Sequence, residues 1–171
     1  ESGFSITPTV RRTFAPRGRT PFLRCWKRHG KVSAISAITV SPRRQRLGLY
    51  FVLLADDENV RAPDVVRFLR ALKRRLRRPF VVVWDRSNTH DRSTVVRPYL
   101  ARHPEITTER FPGYAPELNP DEQVWAHTKW GRLHNYVPDS IADLRRRLAV
   151  ELRRLHHRPH RRVRHRPRPP S

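Results

Sequence analysis

The sequence predicts a three-layer α/β domain, with helices flanking a mixed five-stranded sheet, and three observations predict it. Five short segments carry strand chemistry, either alternating or wholly apolar. Two stretches, 65–76 and 139–155, place aliphatic residues at helical spacing with arginines on the opposite face. The segments follow one another as strands, helix, strand, helix, strand, helix, helix, which is the order of a sheet covered on both faces.

"GFSIT" near the start is a short strand, and "VRRTFAPRGRTP" after it is basic and turn-rich. "VSAISAITV", 32–40, alternates and is β-branched, as a half-buried strand should be. "LGLYFVLLA", 47–55, is a more continuous apolar strand, joined to the previous one through "SPRRQR" as a hairpin. "DDEN", 56–59, reads as a solvated acidic turn with helix-start chemistry. Val65, Leu69, Leu72 and Leu76 then mark an amphipathic helix that packs on the sheet. "FVVVW", 80–84, is apolar throughout, the pattern of a central strand buried on both faces. Residues 92–103 predict a short helix with Pro98 confined to its first turn. "ITTERF" is a fifth strand, a helix begins at Asn119, and a last helix runs from Asp139 to about Leu155. Its stripe is Ile141, Leu144, Leu148, Leu152 and Leu155, with Ser140 and Asp143 as capping residues. From 156 to 171 the chain has six Arg, four His, four Pro and one aliphatic residue. Such a segment cannot bury enough to fold, so the domain is 1–155 and the rest a disordered basic tail.

The 171 residues suit one domain with a real core. A net charge of +22 calls for a polyanionic partner, and nucleic acid leads. Cys25 is the single cysteine, which rules out an internal disulfide and makes a reducing compartment the default. No apolar run reaches membrane-span length, and no signal peptide is evident. The chain opens on Glu1 and contains no Met, which predicts a fragment or a processed product.

Chemistry centres on "FPGYAPELNPDEQVW", 111–125. Asn119 is a good N-cap, Pro120 suits the first helical position, and Glu122 falls where a capping box needs its acid. Asp85 stands where the apolar strand 80–84 emerges. As residues alone, each has a local reading, a turn for Asp85 and a cap partner for Glu122. Were the two carboxylates to meet at a sheet edge, they would form a hard-oxygen site suited to Mg²⁺. With a nucleic-acid partner, the matching chemistry is two-metal phosphoryl transfer, with ions about 3.5–4 Å apart.

"VVVWDRSNTH", "PGYAPELNPDEQVW" and "ESGFSITPTVRRTFAPRGRTP" together resemble the catalytic domain of the IS630 and Tc1/mariner group of DDE transposases, over residues 1 to about 155. The pattern is met by Pro116, Leu118, Asn119, Pro120, Glu122 and Trp125, with Asp121 at a position usually apolar in that group. The resemblance implies an RNase H-like fold, Mg²⁺ dependence with Mn²⁺ as substitute, and cutting and joining of double-stranded DNA at transposon ends and target. It makes Asp85 the second acid and Glu122 the third, both metal-binding and catalytic, with Asp121 a competitor for the third place. Asn88 and His90 match polar residues that follow the second acid, and Asn119 supports the site. Read locally, Asn88 is equally a helix-entry cap and His90 a partly exposed histidine.

In that group the first acid is an Asp directly before the Glu-Ser-Gly-Phe run, and here the run begins at residue 1. Glu1 is a poor substitute, because neighbouring strand residues point to opposite faces. The chain also lacks the helix-turn-helix region that precedes the domain in the group, so sequence-specific binding is not expected. The resemblance thus implies a transposase catalytic domain, a fragment without its first Asp and inactive in this form. It also implies a homodimer and a place in the bacterial cytoplasm, on the nucleoid. The alternatives are an inactive remnant that only binds DNA, or an unrelated RNase H-like nuclease.

Overall fold

In the computed structural model, which describes residues 1–25, 29–41, 46–85, 93–113 and 115–156, the first strand is β1, Ser2–Ser5. It pairs antiparallel with β2, Lys31–Ser41, which pairs antiparallel with β3, Arg46–Asp56. Helix α1, Ala62–Leu76, leads into β4, Phe80–Trp84. A short helix α2, Val96–Ala101, leads to β5, Ile106–Arg110, which lies parallel to β4. After a 3₁₀ turn at Pro116–Leu118 comes α3, Pro120–Ala126, continued by a π-helical turn at His127–Arg132. The last element is α4, Ile141–His156.

Alternation along β2 explains the layers. Val32, Ala34 and Ile38 join Phe4, Leu49, Val124, Trp125, Leu144, Leu148 and Leu152 in the main core, so α3 and α4 cover one face of the sheet. Ile35 and Ala37 point the other way, onto Phe68 and Leu72 of α1. Trp125 is 2% exposed and meets Phe4 edge-on, ring centroids 5.7 Å apart. Burying each large aliphatic residue of these stripes contributes about 1.5–3 kcal/mol. The α4 stripe is as expected, and Ser140 Oγ accepts from the Asp143 N–H at 3.1 Å.

Three expectations need correction. The strands form a three-stranded sheet and a two-stranded one, not a single ladder of five. Helix α1 joins them instead, because its stripe packs on Ile35 and Leu54 of one sheet and on Phe80, Val82 and Trp84 of the other. Consequently β4 is not buried on both faces: Val81 and Val83 are 59% and 50% exposed, while Phe80, Val82 and Trp84 face α1. The acidic turn does not start the helix. Asp57 takes a left-handed φ of 62°, its carboxylate accepts the Lys31 N–H at 2.9 Å, and α1 is capped later by Asp64 accepting from the Arg61 N–H. Helix α4 closes at His156, whose ring nitrogen lies 2.6 Å from the Leu49 carbonyl. The remainder of the basic tail lies outside the described residues.

The basic segment after β1 is anchored at one end. Asn135, in the left-handed region at φ 57°, donates its N–H to the Thr9 carbonyl, accepts the Arg11 N–H and donates to the Arg11 carbonyl. Beyond this clip Phe14 and Phe22 are fully or largely exposed. No helix of the described residues is long and apolar enough to cross a membrane.

Candidate active site

The turn Asn119–Glu122 decides which acid faces outward. Asn119 is extended, and its side chain accepts from the Asp121 N–H at 3.1 Å, while the backbone N–H of Glu122 bonds to the Asn119 carbonyl. The expected capping box is therefore not formed: the cap serves the second helical N–H, and among the described residues no return bond comes from Glu122.

Asp121 turns inward, 9% exposed, under the sheet. The Ser36 hydroxyl on β2 donates to both of its carboxylate oxygens, at 2.5 and 2.6 Å. Burial pushes the Asp121 carboxyl above the usual carboxylate range, opposed by the Ser36 hydroxyl and by the α-amino group of Glu1. Glu122 adds a smaller like-charge push in the same direction as burial.

Glu122 is exposed, and among the described residues no hydrogen bond or ion pair occupies its carboxylate. Asp85 is also exposed and follows β4 directly, at the end where the Phe111 N–H extends the ladder by bonding to the Trp84 carbonyl. So the two acids of the expected pair sit at a strand end and at a helix start, both open to solvent. In donor type they suit a hard divalent cation. No group of three or more potential metal ligands is assembled among the described residues. Asn88 and His90 lie outside the described residues.

Sequence reasoning named Asp121 only as a rival to Glu122 and missed Ser36, its partner 85 positions away. Nothing local marks Ser36; its place in the β2 alternation beside Ala34 and Ile38, on the α3 face, was the available signal.

Residues 1–145 match the family model of the DDE superfamily endonuclease. No curated protein matches the chain significantly. Among solved structures, the Mos1 transposase paired-end complex with left transposon end is similar over 94% of this chain, at 19% identity and a TM-score of 0.62. The Mos1 strand transfer complex is similar over 95%, at 17% identity and a TM-score of 0.59. The Mos1 mariner paired end complex with Mn follows at 91% coverage, 16% identity and 0.54. The fold is thus shared with these structures, and the chain spans about half of their length, 51–52%.

Proposed function

The chain belongs to the DDE superfamily endonucleases, and on that premise we propose that it is the RNase H-like catalytic domain of a Tc1/mariner-type transposase, acting on duplex DNA at transposon ends and target. The observation that carries the reading is the division of labour at 121–122. Asp121 is engaged by Ser36 inside the fold, which leaves Glu122 as the acid the turn presents outward. Asp85 and Glu122 would hold Mg²⁺, or Mn²⁺ in its place. When bound, a divalent ion supplies Lewis-acid stabilisation of charge on the phosphoryl oxygens and an activated water or hydroxyl.

This chain's own residues do the positioning. Trp125 and Val124 root α3 in the core, and Ser36 ties its first turn to β2, so Glu122 stands on a rigid element. The net charge of +22 attracts the DNA and screens its phosphates. β1 packs on α3 through the Phe4–Trp125 contact, so an Asp placed just before Glu1 would extend the strand that lies against the helix carrying Glu122. Two copies joined through the exposed arm bearing Phe14 and Phe22 would suit work on paired DNA ends.

The test is nicking of supercoiled DNA in Mg²⁺ or Mn²⁺ by a chain extended upstream to include that Asp and its strand neighbours. We expect activity from the extended chain and none detectable from the 171-residue chain. Glu122→Gln and Asp85→Asn should each abolish it, with a loss of at least about 10²-fold, the scale of removing a group that stabilises transition-state charge. Asp121→Asn should keep it. Loss with Asp121→Asn and survival with Glu122→Gln would reverse the assignment. An extended chain that binds DNA but never cuts it would favour a purely DNA-binding role.

A further inference from the structure

Glu151 is 1% exposed on α4, between Leu148 and Leu152 of the core stripe, and three guanidinium groups close on it. Arg154 Nη1 is 2.8 Å from Oε1, Arg147 Nη2 3.4 Å from Oε1, and Arg132 Nε 3.7 Å from Oε2. Arg147 also lies over the Tyr136 ring, 5.5 Å from its centroid. All three arginine side chains stay 40–58% exposed. Arg11, at the clip on Asn135, donates to the Trp130 carbonyl and so joins the π-helical turn that carries Arg132.

One buried carboxylate needs one or two cationic partners; three leave a net charge of +2 at one place. Each guanidinium has five N–H donors, and a carboxylate can accept only about four bonds in all. Glu151 therefore leaves most of the donors unused, on side chains that stay 40–58% exposed and are already gathered against their own repulsion. Planar guanidinium donors match the oxygens of a phosphate in bidentate fashion.

We propose that Arg132, Arg147 and Arg154, held together by Glu151, form a binding site for the phosphodiester backbone of duplex DNA. Glu151 is the positioning residue and touches no DNA itself. The proposal rests on the DNA-binding role given above and adds to it a defined place of contact.

Two measurements test it. The first is the salt dependence of duplex binding by fluorescence anisotropy, for the parent, for Arg132→Gln/Arg147→Gln/Arg154→Gln/Glu151→Gln, and for Arg74→Gln/Arg75→Gln/Arg78→Gln on the exposed end of α1 and beyond. The first variant removes the buried carboxylate with its partners, so no unpaired charge is left inside. Each phosphate contact contributes about −0.9 to the log–log slope, so the cluster variant should be shallower by about two units and the α1 control by less than one. The second uses the parent protein alone: phenylglyoxal modification of Arg132, Arg147 and Arg154, mapped by mass spectrometry. Duplex DNA should protect the three at least about fivefold, and millimolar inorganic phosphate should not. Equal slopes for the two variants, or no protection by DNA, would overturn the site while leaving DNA binding intact. Protection by inorganic phosphate as strong as by DNA would overturn the duplex as occupant. A parent chain that does not bind duplex at all would remove the broader reading together with this one.

Discussion

Ser36 and Asp121 show how much one hydroxyl can decide. The Ser36 O–H is a hydrogen-bond donor to both oxygens of a carboxylate that burial already disfavours in its charged form. Ser36→Ala would leave that carboxylate buried without this donor, at a cost of about 1–3 kcal/mol. Chemical denaturation should register the loss, and a variant as stable as the parent would deny the bond its place. Glu105 offers a cleaner titration. The Lys73 ammonium beside it, 2.5 Å away, holds its carboxyl down to about 2, with help from His103. A depressed carboxyl stabilises the fold above its unfolded value, 4.5, and that contribution is lost as pH falls through about 2. In Lys73→Gln, NMR titration should find Glu105 moved up toward 4.5; an unmoved value would rule out Lys73 as the cause.

At the scale of elements, α4 approaches the segment before β2 closely. Gly30 has φ +150°, and a methyl group there would sit 2.6 Å from Cδ1 of Ile141, the first residue of α4. Gly30→Ala should cost about 1–3 kcal/mol, the scale of overpacking in a filled site. Part of that cost should return in the double variant with Ile141→Val, which removes the nearer of the two colliding atoms and leaves Cγ1, at 2.9 Å, as read by thermal melts; a Gly30→Ala protein melting like the parent would contradict the contact. Elements of this kind were readable wherever the side chains repeat with the period of their own backbone. Leu144, Leu148 and Leu152 declare α4, and the alternation of Val32, Ala34 and Ile38 declares β2. Whether Val81 and Val83 are covered depends on which strands find one another, and no local period records that. The same holds at the candidate site. Glu122 could be singled out from its offset after Asn119 and Pro120, but the inward turn of Asp121 depends on a serine in a distant strand. Glu151 was equally hidden, because an acid among arginines on a helix reads as surface until the neighbouring leucines are seen to bury it.

For the molecule as a whole, charge dominates. Residues 157–171 carry six of the arginines, and removing them should make the salt dependence of duplex binding shallower. An unchanged slope would show that this segment takes no part. The body of the protein has a different kind of order, and Ser36 and Asp121 also say something about time. Their bond joins residues 85 positions apart, and Trp125 closes on Phe4 across almost the whole folded chain. Contacts of such separation form late, since the loop they close must be ordered before they reward it. During synthesis the hairpin of β2 and β3 can be complete long before α3 leaves the ribosome. Glu122 has no fixed position until then. On the proposed function, a nascent or prematurely ended chain would therefore carry much of its positive charge before Glu122 had a fixed place in the fold.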